Sequence, residues 1–365
     1  MKPIPVLVIT DSLKLGGTES VAVNIANDLS EDPRFEVFLV CSRAEGELLD
    51  RIKPGVVYFN LQKKRQLDLK AIWRLHRFIK KHRIEIVHAH STSMYFPVLI
   101  KLFHHYKLVW HDHFGLVLPP SGKRFYPYIS VSPFFDFAIA VNEQLLKSNR
   151  KYLHVKPENQ IFLPNYSVRI ESTTPPPLAG DKNSRVVCLA NIRPQKDHLN
   201  LMAAFKMVLE EIPEATLYCV GVCAADEYEQ SVRTYVKENA LENHVFLTGA
   251  VANPFDYLSQ CSVGVLSSES EGMPLSLIEY GLASLPVVCT DVGECAVVLA
   301  QGKNGILVPR HDAEALAQGI KSLINDRQTA TQYAVSFKAF IAAHYSKEAI
   351  IEKLTTIYLK LLNKL

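Results

Sequence analysis

Two carboxylates eight residues apart, Glu271 and Glu279, frame the run SSESEGMPLSLIE at 267–279. Pro274 suits the first turn of a helix running through PLSLIEYGLA. Glu271 therefore falls in the loop entering that helix and Glu279 in its second turn. That separation argues against a proton-sharing pair of catalytic carboxylates. It favours two contacts with different parts of one extended ligand. Between them, Gly272, Met273, Pro274 and Leu275 open the helix, where free backbone N–H groups suit an anion. Carboxylates accept from hydroxyls, so the implied ligand carries hydroxyls on both sides of a phosphate. A nucleotide sugar meets that description.

Other residues extend this chemistry. Arg193 and Lys196, in NIRPQKDH, could clamp a diphosphate, Arg by its planar fork and Lys as a point charge; the alternative is a solvated loop with scattered charge. Gly16-Gly17 precedes an amphipathic helix and either brings backbone amides close to a phosphate or makes a plain turn. No Gly-Lys-Ser/Thr follows, so it is not a P-loop. Two histidine pairs, His88-Ala89-His90 and His111-Asp112-His113, end apolar runs. His111 is placed to project into a cleft. For His88 and His90 the expectation is hydrogen bonding at a strand end. A metal site stays open on the HxH spacing, but no acidic cluster or cysteine accompanies either pair, and no metal is expected.

Elements that position these residues alternate along the chain. Apolar runs at 5–10, 36–41, 84–88, 107–111, 137–141 and 160–164 read as buried parallel strands, separated by helical patterns such as 19–29 and 69–82. After 171–184, a stretch with three consecutive prolines and no periodicity, the alternation restarts at 185–190, 215–221, 244–248, 263–267, 286–290 and 305–308. The reading is α/β: two tandem Rossmann-like domains, 1–170 and 185–345, joined by the linker 171–184 and followed by an amphipathic helix at 346–365. Ligands of such sheets bind beyond strand carboxyl ends, where the residues above fall.

The totals agree with a soluble two-domain protein. Of 365 residues, 48% are hydrophobic and 21% charged, which is ordinary for globular chains. The near-neutral net charge hides opposite halves: 24 Lys and Arg against 15 Asp and Glu in 1–170, then 16 against 22 in 171–365. The seven cysteines include no CxxC pair and read as core residues in a reducing compartment. With no signal peptide and no apolar run of membrane-spanning length, the expectation is cytoplasmic.

Residues 63–83 hold nine Lys and Arg and one acid, Asp68, with Ile72, Leu75, Phe78 and Ile79 at helical spacing and Trp73 alongside. Either the helix rests on an anionic membrane surface, or its apolar face covers the sheet and its basic face is solvated. The charge also suits nucleic acid, but no recognition motif accompanies it, and no nucleic acid is expected. The aromatic segment 125–137 lines an acceptor pocket or packs.

Taken together, Glu271 and Glu279, the GGTE near the start, HAHS, Leu163-Pro164-Asn165, RPQKDH and NGILV resemble the retaining glycosyltransferases of family 4, the group 1 transferases, over essentially the whole chain. That resemblance implies the GT-B architecture, with the active site between the domains and the last helix crossing back to the first domain. It implies that Glu271 contacts hydroxyls of the transferred sugar and Glu279 those of the ribose. Arg193 and Lys196 neutralise the diphosphate with help from Gly16 and Gly17, Asn165 and 272–275 join the donor site, and His111 lies near the sugar. Two positions depart from the pattern: Asn191 stands where many members carry arginine, and Asp291-Val292-Gly293-Glu294 stands where Gly-Gly is more usual. The implied activity is retaining transfer of a hexose-type sugar from a UDP- or GDP-sugar, without metal or other cofactor, to a surface-polysaccharide or lipid-linked oligosaccharide. The alternatives are a GT-B nucleotide-sugar 2-epimerase and a non-catalytic nucleotide-sugar-binding protein.

Overall fold

Runs of Val, Ile and Leu with no alternating polar face need cover on both sides, as in parallel sheets flanked by helices. In a computed structural model, which describes residues 2–113, 126–169 and 175–364, every such run becomes a parallel strand. They are β1 (Ile4–Ser12), β2 (Phe35–Ala44), β3 (Val56–Asn60), β4 (Ile86–His90), β5 (Lys107–Asp112), β6 (Phe137–Ala140) and β7 (Gln160–Phe162). A second set follows: β8 (Arg185–Leu189), β9 (Thr216–Val220), β10 (Val245–Gly249), β11 (Val263–Leu266), β12 (Val287–Thr290) and β13 (Ile306–Val308). β3 was not expected. It is short, follows Lys-Pro-Gly, lies at the sheet edge and leaves Val57 exposed, so its pattern is weak.

The chain divides into two units, Met1–Tyr166 with Lys347–Leu365, and Ser167–Ser346. The first carries a seven-stranded sheet ordered β3-β2-β1-β4-β5-β6-β7, the second a six-stranded sheet ordered β10-β9-β8-β11-β12-β13. In each, the order reverses beside the first strand, between β1 and β4 and between β8 and β11. Such switch points open a crevice beyond the strand ends, and the candidate residues cluster there.

Helix Leu69–His82 shows how the basic segment divides. Asp68 caps it, its carboxylate accepting from the Ala71 N–H at 3.1 Å, and Arg83 ends it in the left-handed region at φ 51°. Ala71, Leu75, Phe78 and Ile79 are buried against the first sheet. That face is a sheet cover.

In the first unit, helix Lys347–Leu361 packs on helix Gly17–Leu29. Lys347 pairs with Asp28 at 3.0 Å and Glu31 at 2.7 Å, and Tyr358 is fully buried. The proline-rich stretch is less free than a linker. Residues 170–174 lie outside the described residues, but from Pro176 onward the chain is fastened to the second unit. The Arg185 guanidinium donates to the carbonyls of Leu178, Ala179 and Gly180, and Gln260 donates to that of Pro176.

Candidate functional site

In the second unit the loops after β8 and β11 meet. The Ser267 hydroxyl donates to the Lys196 carbonyl at 2.9 Å, and the Glu269 N–H donates to the Gln195 carbonyl at 2.9 Å. These bonds bring Lys196 Nζ to 2.6 Å from Glu271 Oε1, which also accepts from the Ser268 hydroxyl at 2.6 Å. The Glu271 side chain is 8% exposed and that of Lys196 21%, so the pair is partly desolvated. Arg193 differs: it is exposed, and its guanidinium has no hydrogen bond or ion pair among the described residues.

Asn191, in the position expected for arginine, has a structural task. Its Oδ1 accepts from the Val222 N–H at 2.8 Å, tying the loop after β8 to the loop after β9. Gly221 enforces the same closeness, since a Cβ there would stand 2.2 Å from the Ala190 carbonyl oxygen.

Helix Leu275–Leu282 starts at Pro274 with no side-chain cap, and an uncapped helix start is a place that suits an anion. Met273 and Pro274 are buried, while Gly272 and Leu275 are partly exposed. Glu279, on the second turn, is buried and accepts from the Ser167 hydroxyl at 3.1 Å. The two carboxylates thus have separate partners. Next along the chain, the Tyr280 hydroxyl accepts from the Leu189 N–H at 2.6 Å and donates to the Val265 carbonyl at 3.0 Å, anchoring the helix to β8 and β11.

Gly293 holds Glu271 from outside. Its φ is +55°, and a Cβ would lie 2.0 Å from the Glu271 carbonyl oxygen, while the Glu294 N–H bonds the Gly272 carbonyl at 3.3 Å. We expect Gly293→Ala to destabilise the protein by about 1–3 kcal/mol from the left-handed backbone alone, and to impair activity by displacing Glu271. An unchanged denaturation midpoint in urea would show that the loop is free to relax.

In the first unit, Gly16 precedes helix Gly17–Leu29, again with no side-chain cap. A Cβ on Gly16 would lie 2.3 Å from Glu19 Oε2, whereas Gly17 is open. A carboxylate thus already lies over this helix start, and a phosphate bound there must displace it. Asn165 is buried in the segment after β7.

His88 and His90 at the end of β4 lie beside His111 and His113 at the end of β5. His88 Nε2 is 3.2 Å from His111 Nδ1, His90 Nδ1 is 2.9 Å from His113 Nε2, and His88 Nδ1 is 2.7 Å from the Tyr358 hydroxyl. His88, His90 and His111 each place a ring nitrogen within 4.8 Å of the others. Their rings stack at interplanar angles of 16° to 35°, so the nitrogens lie side by side. A cation held at His88 Nε2 and His111 Nδ1 would replace the hydrogen bond between those two rings, whereas the bond from His88 Nδ1 to Tyr358 uses the other ring nitrogen. Burial, before the charge of neighbouring histidines, pushes the His88 imidazole down to about 3 and holds His90 and His111 well below the ordinary range.

Residues 114–125 lie outside the described residues, and with them Phe125 of the aromatic segment. In the described part, Tyr128 and Phe135 stack on Trp110 at 5.8 and 5.2 Å between ring centroids, which is packing. Two residues gain importance only in three dimensions: Ser268, whose neighbours in sequence give no sign of the bond to Glu271, and Tyr358.

Residues 171–339 match the model described as glycosyl transferases group 1, and residues 15–165 match glycosyltransferase family 4. The chain belongs to the group 1 glycosyltransferases, and its two parallel-sheet units are those of the GT-B fold. Over 342 residues it is 23% identical to UDP-Gal:alpha-D-GlcNAc-diphosphoundecaprenol alpha-1,3-galactosyltransferase of Escherichia coli, with 86% of each chain covered. Poly(glycerol-phosphate) alpha-glucosyltransferase of Bacillus subtilis strain 168 is 30% identical over 170 residues, 46% of this chain and 24% of that one. The match thus spans about a quarter of that relative's length. Among solved structures, Anabaena HepE in complex with UDP and glucose superposes with a TM-score of 0.80 at 17% identity, covering 99% of this chain and 100% of that one.

Proposed function

We propose that the protein is a retaining glycosyltransferase that moves a hexose-type sugar from a UDP- or GDP-sugar to a lipid-linked oligosaccharide or surface-polysaccharide precursor, without a metal ion. The observation that carries this reading is the Lys196–Glu271 pair beside the uncapped start of helix Leu275–Leu282. Breaking the anomeric C–O bond leaves extra negative charge on the diphosphate. A fixed cation and aimed N–H groups stabilise that charge, each well-placed donor being worth roughly 3 kcal/mol. Arg193, unengaged and exposed, adds a second cation on the same loop. Glu271 is assigned to sugar hydroxyls, Glu279 to the ribose and His111 to the sugar; no side chain is assigned as general base. The names of the E. coli and B. subtilis relatives, a diphosphoundecaprenol-linked and a polyol-phosphate acceptor, support an acceptor of this class.

A thermal-shift panel of UDP, GDP, ADP and their sugar conjugates, with EDTA present, tests the donor. A ligand at 100 times its dissociation constant stabilises the fold by about 2.7 kcal/mol, and one nucleotide should stand out. Transfer by the same protein, with the product's anomeric configuration read by NMR, tests retention. No shift from any nucleotide would remove the donor assignment.

The basic helix supports action at the inner face of an anionic membrane. No described helix is long and apolar enough to cross a membrane. Outside the buried face of helix Leu69–His82, however, Leu67, Leu69 and Trp73 are exposed among Lys64, Arg65, Lys70, Arg77, Lys80 and Lys81. The turn carrying exposed Leu102 and Phe103 adjoins it, with His104 Nε2 3.0 Å from His76 Nδ1. Each Lys or Arg near an anionic surface contributes about 1 kcal/mol. We expect cosedimentation with vesicles containing phosphatidylglycerol, loss with neutral vesicles, and weakening in Trp73→Ser/Phe103→Ser. Equal partitioning to both vesicle types would remove the electrostatic component.

A further inference from the structure

Three hydrogen-bonding groups run in series through the first unit. The Tyr358 hydroxyl lies 2.7 Å from His88 Nδ1, and His88 Nε2 lies 3.2 Å from His111 Nδ1. All three side chains are buried. The remaining nitrogen, His111 Nε2, is buried without a hydrogen-bond partner among the described residues.

Counting protons gives the series a direction. A neutral imidazole has one N–H donor and one lone-pair acceptor, and burial keeps both rings neutral at pH 7. The Tyr358 hydroxyl has a single proton, and His88 is its hydrogen-bond partner among the described residues. Either direction leaves one buried donor over, the Tyr358 O–H or the His111 Nε2–H, but the 2.7 Å separation is that of a hydroxyl donor and not of a ring N–H, and a phenol gives a hydrogen bond to an imidazole nitrogen more readily than it accepts one. The hydroxyl therefore donates to His88 Nδ1. His88 then carries its proton on Nε2 and donates it to His111 Nδ1, which leaves the His111 proton on Nε2. The neighbouring pair, His90 and His113, has no hydroxyl at its end, so nothing comparable fixes its direction.

We infer that Tyr358 and His88 are positioning residues that lock His111 as the Nε2–H tautomer, so that His111 meets the transferred sugar as a hydrogen-bond donor to a hydroxyl oxygen. The sugar contact rests on the function proposed above; the tautomer does not. In this state His111 has no lone pair at Nε2 and cannot take a proton from the acceptor there.

Long-range proton–nitrogen NMR spectra of the full chain labelled with 15N-histidine decide the matter, with His111 assigned by its loss in His111→Gln. We expect a protonated Nε2 and a bare Nδ1 at pH 7. In Tyr358→Phe the ring is kept and the anchor removed, so a second His111 signal set with a protonated Nδ1 should grow in. The same variant should lose roughly tenfold in kcat, the value of one hydrogen bond, with little change in KM for the sugar nucleotide. A protonated Nδ1 on His111 in the unaltered protein overturns the inference, whether or not the variant folds. An unchanged single tautomer in folded Tyr358→Phe overturns the role of Tyr358. Absence of sugar transfer from every nucleotide sugar, with the expected tautomer present, would instead sink the functional reading alone.

Discussion

Lys196→Ala is expected to lower turnover by roughly 10²–10³-fold, the cost of removing one fixed donor from a developing oxyanion. Two effects are superposed in that variant. In the proposed function the diphosphate loses its cation, and Glu271, almost fully buried, loses the ammonium 2.6 Å away and keeps the Ser268 hydroxyl. An uncompensated buried carboxylate destabilises the fold, by about 1–3 kcal/mol where one hydrogen bond remains. The double variant Lys196→Ala/Glu271→Gln isolates the effect on the fold. Making the partner neutral should restore the urea midpoint while turnover stays low. Recovery of turnover along with stability would mean that Lys196 serves the fold, and wild-type rates in Lys196→Ala would take it out of the site.

Acidification from pH 7 to pH 5 should cost several kcal/mol of stability through the buried histidines. Burial pushes His88 down to about 3 and His198 down to about 4 from the ordinary 6.5. Between these limits the unfolded chain binds protons that the folded chain refuses. Stability is therefore fully present above about pH 6.5 and lost as the pH falls. At pH 5 each group accounts for about 2 kcal/mol, and His90 and His111 act in the same direction. His198 is the cleaner probe, because both its ring nitrogens are buried without a hydrogen-bond partner among the described residues. His198→Phe should fold normally and flatten the profile by one proton. A urea midpoint that does not move between pH 7 and pH 5 would mean that water reaches these rings.

Much of this was legible because period and spacing are local. Uniformly apolar runs announced their strands, Pro274 announced a helix start, and the distance between Glu271 and Glu279 argued against a proton-sharing pair. Edge strand β3 escaped because it is short and half-exposed. The role of Asn191 escaped because its partner, Val222, belongs to the next crossover. Gly293 read as a departure from a motif; only its approach to the Glu271 carbonyl shows why a side chain is excluded there. Leu75, Phe78 and Ile79 alone could not say whether their helix covered a sheet or a membrane. Their burial in the core of the first unit assigns that face to the sheet.

The first unit is made from two separated stretches of chain, with the whole second unit inserted between them. Protein synthesis therefore delivers its parts out of order. His88 and Tyr358 lie 270 positions apart, which at ordinary elongation rates is a delay of tens of seconds. During that interval Ser167–Ser346 emerges in full, while the earlier sheet still lacks the helix that covers Asp28 and anchors His88. The N-terminal half is thus the first made and the last finished, and a nascent chain that stalls before residue 347 leaves that surface open to chaperones and proteases.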